Sequence, residues 1–413
     1  MRRMARTLSV TGAAVTAVAA LLTAPPPTRA TGTADGPRER VLFQQPGRLL
    51  SAEPSSFRTR PGRPTGTEAW RITYTSTDAR GGPTTVSGTV IVPRDGRKGP
   101  RPLVSYAMGT VGIADQCAPS AHFPRGTAVE APLVHAVIRR GWGVVVTDYE
   151  GLGTPGTHTY TVGRAEGTAV LDAARAAQRL PQARRMGVTP RSRVGLMGYS
   201  QGGQAVGWAA QLADTYAPEL DLVGTAAGGV PADLMRVARH NDGHAGAGLV
   251  LMAAVGQDAA FPELGLDSYL DDEGRRFVDF LKSECVAVDT VARAVERLSD
   301  VTVRNPLDQP DWQRALRSSD LGGTAPAAPV HLYHGTADEL IPYKVGARLR
   351  TAWCRRGATV RWRGLPLLGH VTGAALGTPS AARWLADRFA GKPAPDTCPR
   401  GHGRSAPGPR PGR

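Results

Sequence analysis

The feature that most limits what this chain can become is the stretch Arg193-Val194-Gly195-Leu196-Met197-Gly198-Tyr199-Ser200-Gln201-Gly202-Gly203. A short apolar run, Val194 to Gly198, ends in Gly-x-Ser-x-Gly, and a helix-like run from Gln204 to Ala213 follows at once. A sharp strand-to-helix turn fits that order, and such a turn lifts a serine oxygen clear of the sheet that carries it. Gly198 and Gly202 suit it because close backbone packing round a strained turn leaves no room for a Cβ. Three fixed positions are weak evidence in a chain with 50 glycines in 413 residues. The setting between a buried-type strand and a helix gives them weight.

The rest of the chain alternates in the same way. Trp70 to Ser76 and Thr84 to Val92 read as paired strands around the turn at Gly81-Gly82-Pro83. Pro102 to Ala107, Trp142 to Asp148 and Leu222 to Gly228 are short apolar runs of buried-strand type. Ala165 to Leu180 reads as a helix with Val170, Leu171, Ala174 and Ala177 on one face. From Ala232 to about Leu321 the pattern is successive helices without a strand. Alternation resumes with the strand Val330 to His334, a helix from Lys344 to Arg356, the strand Thr359 to Leu365 and a last helix from Ala381 to Phe389. This order predicts an α/β fold, a mostly parallel central sheet with helices on both faces. Its core would comprise residues 66–229 and 322–400, with a helical insertion at 230–321 over one end.

The two ends differ in character. Residues 1–30 read as a secretion signal, with Arg2, Arg3 and Arg6 ahead of an apolar stretch from Leu8 to Thr23 and a small-residue cleavage site at Thr28-Arg29-Ala30. Cleavage is expected near Ala30, and general secretory and twin-arginine export both stay open. That stretch is short for a membrane span and is interrupted by Thr11, Gly12 and Thr16, so a secreted protein without a transmembrane anchor is expected. Residues 31–65, rich in Pro, Gly and Arg, are expected to form a loosely ordered arm, and 401–413 a disordered tail. The net charge of +15 raises nucleic acid as a partner, but there is no aromatic-basic interleaving or basic cluster to support it. A solvated basic surface that favours anionic interfaces is the simpler reading.

A serine hydroxyl is a poor nucleophile until a base takes its proton. On a sheet with this turn the partners follow in the order acid, then histidine. Of nine histidines, His370 is the main candidate base, because His402 falls in the tail. It lies in Leu367-Leu368-Gly369-His370-Val371, expected as a loop between the last strand and the last helix. Asp338, just beyond the strand Val330 to His334, is the candidate acid, on the carboxyl edge of the sheet where Ser200 also emerges. Its other reading is a helix N-cap, and Glu339 is the second candidate acid. The oxyanion would be met by the backbone N–H of Gln201 and by one N–H from Gly109 to Val111, with Thr110 preferred. His331 and His334 are three apart on a strand and point to opposite faces, and the cysteines lack Cys-x-x-Cys spacing. No metal or other cofactor is expected.

Several motifs far apart in the chain, in this order, resemble the secretory lipase family, the α/β-hydrolases related to fungal lipase A, over roughly residues 40–400. They are Gln116-Cys117-Ala118-Pro119-Ser120, Asp148-Tyr149-Glu150-Gly151-Leu152-Gly153, Val170-Leu171-Asp172, Gly198-Tyr199-Ser200-Gln201-Gly202-Gly203, His334-Gly335-Thr336-Ala337-Asp338 and Gly369-His370. The resemblance implies a helical cap, or lid, over the active site, hydrolysis of acyl esters and glycerides, and Ser200, Asp338 and His370 as the triad. Relatives often read His-Gly-Thr where this chain has Met108-Gly109-Thr110. The expected protein is thus a monomeric serine ester hydrolase, a lipase or carboxylesterase that cleaves esters such as triacylglycerols through an acyl-enzyme. Its partners would be lipid or small ester substrates, in part at a lipid–water interface. A peptidase or cell-wall acyltransferase is the alternative, and a non-catalytic binding protein a more remote one. The small apolar run Ala245 to Val255 suits a helix lining an acyl channel, or a buried packing helix. Four cysteines behind a secretion signal read as two disulfides with three pairings open. Proximity favours Cys354–Cys398. That leaves Cys117–Cys285, which agrees with what the family resemblance implies.

Overall fold

In the computed structural model, residues 45–244, 246–285, 291, 292 and 294–399 are described. The expected secretion signal, the first part of the arm, the tail 401–413 and Ala245 lie outside the described residues. Within them a nine-stranded sheet runs in the order β1-β2-β3-β5-β4-β6-β7-β8-β9. Its centre is made of strands that are apolar without alternation: β4 (Leu103–Ala107), β5 (Gly143–Tyr149), β6 (Val194–Tyr199), β7 (Leu222–Gly228) and β8 (Val330–Gly335). Nearly every residue of these strands is buried, as strands covered on both faces must be. They pair in parallel, and β9 (Val360–Leu365) extends the parallel set to one edge. At the other end β2 (Thr67–Thr77) and β3 (Pro83–Pro93) form an antiparallel hairpin, and β3 joins β5 antiparallel.

Helices cover both faces: α1 (Ala131–Ile138), α2 (Gly163–Arg179), α3 (Gln201–Tyr216), α8 (Tyr343–Arg355) and α9 (His370–Phe389). Between β7 and β8 the chain makes α4 (Leu234–Asn241), α5 (Ala247–Ala260), α6 (Asp272–Ser283) and α7 (Pro310–Ser318). These helices share an apolar cluster of their own, with Leu251, Met252, Tyr269, Leu281 and Trp312 all buried. Each such side chain is worth roughly 1.5–3 kcal/mol when fully buried, so the cluster holds the insertion together as a unit. Among the described residues no single helix is long and apolar enough to cross a membrane.

Three expectations need correction. Part of the expected loose arm is a strand, β1 (Leu49–Ser55), paired antiparallel with β2, and Phe57 just beyond it is buried edge-on against Phe123. An edge strand is held by its backbone, so its composition can be poor, and even Pro54 is tolerated there. The last helix starts at His370 rather than Ala381. Gly373, Gly377 and Pro379 argue against helix by propensity, but the two glycines lie where α9 crosses Tyr199 and Tyr333. A Cβ there would come within 2.5 Å of Tyr199 Oη and of Tyr333 Cε2 respectively. Close packing therefore overrides propensity. Finally, α2 is buried on nearly all sides rather than on one face, charged Glu166, Asp172 and Arg175 included.

Candidate active site

Ser200 stands in the turn between β6 and α3 with φ +59°, a strained value for a residue with a side chain. The glycines around it are obligatory: a Cβ on Gly198 would sit 2.2 Å from the Gly202 carbonyl oxygen, and one on Gly202 2.0 Å from that of Ala107. The Ser200 N–H donates to the Gly228 carbonyl at 3.0 Å, which locks the turn onto β7.

Held there, the Ser200 Oγ lies 2.8 Å from His370 Nε2, and His370 Nδ1 lies 2.8 Å from Asp338 Oδ2. All three side chains come from the carboxyl edge of the parallel strands, after β6, β8 and β9. Asp338 serves two purposes with its two oxygens. Oδ1 accepts the N–H groups of Leu340 (3.1 Å) and Ile341 (2.8 Å) in the turn ahead of α8, whose N-cap is Pro342 rather than Asp338, while Oδ2 faces the imidazole. Burial works to raise the Asp338 pKa, but hydrogen bonds from His334 and His370 and their charge hold it well below the usual carboxylate range. It is therefore an ionised acceptor. Glu339, the second candidate acid, accepts the backbone N–H of His370 at 2.9 Å and so caps α9 rather than meeting the ring.

The oxyanion candidates have supports that sequence reading missed. Gln201 is the first residue of α3, and its side-chain amide donates to Glu166 Oε1 (2.8 Å) and to His158 Nε2 (3.0 Å). His158, wholly buried, must then donate from Nδ1 to the Glu150 carbonyl at 2.8 Å, and burial pushes its pKa down to about 4, consistent with a neutral ring. The Thr110 hydroxyl lies 2.8 Å from the Tyr160 hydroxyl. Gly109 donates its N–H to the half-buried Glu130 carboxylate at 2.7 Å, which removes it as a donor to substrate and leaves Thr110 and Val111 from that stretch. Of these two, Thr110 lines the pocket described below. Glu130 left no signal in the sequence. Glu166 left one: it lies in line with Val170, Ala173 and Ala177, a carboxylate at the head of an apolar face.

Glu166 also accepts the N–H of Thr161, while its Oε2 has no partner among the described residues, and burial pushes its pKa up to about 8. Between the ordinary value of 4.5 and about 8 the folded state binds a proton that the unfolded chain does not. Stability is then expected to fall as pH rises through that window. Glu166→Gln, which cannot ionise, is expected to give a shallower loss of melting temperature between pH 5 and pH 8 than the wild type. Identical slopes in a thermal melt series would contradict that role.

Ser200, His370, Gln201 and Thr110 open onto a pocket enclosing about 870 Å³, part of it open to solvent. Its walls come largely from the insertion, with Val250, Ala253 and Ala254 of α5 and Trp312 and Leu316 of α7, together with Ile341. Met252 and Val255 of the same helix do not line the pocket and are packed, with Val250, Leu251 and Ala254, in the apolar cluster of the insertion, so α5 is a packing helix that also contributes to the pocket wall. Cys117 is bonded to Cys285, and Cys354 to Cys398. His331 packs on Trp384 of α9 and His334 on Tyr343 of α8, and no group of three metal-ligating side chains occurs among the described residues.

The profile of the secretory lipase family matches residues 121–397. In sequence the chain is similar to a Mycobacterium tuberculosis protein described as a "probable inactive lipase", 32% identical over 346 residues that cover 79% of this chain and 75% of the relative. It is also similar to a secreted triacylglycerol lipase of Malassezia globosa, 30% identical over 353 residues, 80% of this chain and 75% of the other. In fold it is similar to Candida antarctica lipase A in its closed state, with a TM-score of 0.75 and 22% identity over 86% of this chain and 84% of that one. The fold is thus that of the α/β-hydrolases.

Proposed function

This chain belongs to the secretory lipase family, and on that footing we propose that it is a serine ester hydrolase that cleaves acyl esters, triacylglycerols among them, through an acyl-enzyme. It is a secreted protein, and its two disulfides suit an oxidising compartment. The observation that carries the catalytic reading is the continuous relay Ser200–His370–Asp338, each link 2.8 Å, at the floor of an apolar pocket. Ser200 attacks the ester carbonyl as His370 Nε2 takes its proton. Asp338 holds the Nδ1–H tautomer and stabilises the imidazolium that forms. The oxyanion is received by the N–H groups of Gln201 and Thr110, whose side chains are held by Glu166 and His158 and by Tyr160. His370 then protonates the leaving alcohol, and water releases the acyl group by the same route.

Residues 230–321 act as the cap over a core of 66–229 and 322–400, and the cap supplies most of the surface that an acyl chain would touch. That apolar lining favours a fatty acyl group over a peptide. It also suits a monomer acting on small esters or on lipid. The relative described as a "probable inactive lipase" raises the competing reading of a binding protein. The intact relay argues against that reading here.

The test is a panel of p-nitrophenyl esters from acetyl to palmitoyl beside a peptide p-nitroanilide. Ester turnover with an optimum beyond the acetyl ester, and little turnover of the anilide, is expected. Comparable rates on the anilide would support a peptidase, and no turnover of any ester would support the binding protein.

A further inference from the structure

Between Leu340 and Ala386 the chain holds eight Lys or Arg residues and no Asp or Glu. This segment builds α8, β9 and α9, the last edge of the sheet. The first carboxylate beyond it, Asp387, is paired with Lys392. On the outward face of α9 the exposed residues Val371, Ala375, Leu376 and Pro379 follow one another at helical spacing, and the exposed Pro366 and Leu367 precede them. Leu367, Leu376 and Val371 are 89%, 64% and 55% exposed. Leu367 is moreover held at φ +59°, so a strained backbone keeps a leucine out in water. Cations flank this stripe. The Arg363 guanidinium lies 2.6 Å from Ser380 Oγ on α9, and exposed Arg383 follows Pro379 by one turn.

A contiguous exposed apolar surface marks an interaction site. What would cover this one is indicated by charge. A second copy would bring two basic faces together in a chain of net charge +15, which is repulsive. Exposed Glu339 stands at the N-terminal end of α9, but Arg363 and Arg383 beside the stripe outnumber it. An apolar stripe with such a rim matches a surface that lies on an anionic lipid–water interface, with the side chains sunk into the acyl boundary and the cations at the headgroups. Leu367 and Val371 also bracket His370 in the chain, so lipid seated here would abut the proposed catalytic relay.

We propose that the outer face of α9, together with Pro366 and Leu367, docks this protein on anionic lipid surfaces. The proposal takes its purpose from the hydrolase reading, and its test is independent of catalysis. Full-length Ser200→Ala protein is sedimented with large unilamellar vesicles of phosphatidylcholine, with or without phosphatidylglycerol. Binding is expected on the anionic vesicles and about tenfold or more weaker on the neutral ones and at high salt, where exposed charges are screened. Adding Leu367→Ser, Leu376→Ser, Arg363→Gln and Arg383→Gln should lower partitioning by on the order of 100-fold, each cation near the surface being worth roughly fivefold. In the Ser200 background the same four changes should leave turnover of a soluble short-chain ester and the melting temperature nearly unchanged. Vesicle binding by the variant equal to that of its parent, or equal binding to neutral vesicles, would overturn the proposal. So would self-association of the parent that the variant abolishes, because a second copy would then own the face. Vesicle binding without any ester turnover by the wild type would leave the docking standing and remove the hydrolase reading, and turnover without binding would do the reverse.

Discussion

Ser200→Ala is expected to lower ester hydrolysis by on the order of 10⁴-fold or more while the protein stays folded. The loss corresponds to about 5.5 kcal/mol of transition-state stabilisation. It should be this large because, in the proposed mechanism, the Oγ that lies 2.8 Å from His370 Nε2 is the atom that bonds to the acyl group. Folding should survive because the turn is held by the Ser200 backbone N–H on Gly228 and by glycine packing, none of which involves the hydroxyl. Steady-state kinetics on a p-nitrophenyl ester, beside a thermal melt, checks both halves. A variant within about tenfold of the wild type would place the chemistry elsewhere.

Removal of the Cys117–Cys285 bond is expected to have the largest effect on stability. The bond closes a span of 168 residues, for which the chain-entropy model gives roughly 5 kcal/mol, against roughly 4 kcal/mol for the 44-residue span of Cys354–Cys398. The two bonds should also differ in their effect on activity. Cys117 is buried with Ala114, Ala118 and Leu152 in a small cluster on which Val111 packs, one residue from Thr110. Cys285 follows α6 of the insertion. Cutting this bond therefore frees the insertion from the stretch that carries the proposed oxyanion donor, whereas Cys354 and Cys398 join α8 to the chain beyond α9, away from the pocket. Paired Cys→Ser variants compared by chemical denaturation and by kcat test this. The Cys117/Cys285 pair should lose both stability and kcat, and the Cys354/Cys398 pair mainly stability. Unchanged kcat in the first pair would show that the bond does not steady the catalytic loop.

What could be read from the chain depended on whether the cause was local. Ser200 was legible because its glycines, strand and helix are contiguous. Asp338 and His370 were reachable because the topology fixes their order. The helix that begins at His370 was hidden, since Gly373 and Gly377 are explained only by the tyrosines of neighbouring strands and Pro379 stands inside the helix against propensity. β1 was hidden because an edge strand needs a partner's backbone more than a pattern of its own. Glu130 meets Gly109 across 21 residues through a single backbone N–H, a contact with no sequence signature. The basic run from Leu340 to Ala386 is plain in the sequence, but only the folded α9 shows that apolar side chains line up beside it.

The most direct test is covalent. A fluorophosphonate reacts with a serine only when a base activates it, and peptide mapping by mass spectrometry reports which residue carries the adduct. One adduct on Ser200 is expected in the wild type, with little or none in His370→Ala. An adduct on any other residue, or equal labelling of the wild type and His370→Ala, would contradict Ser200 as a nucleophile activated by His370.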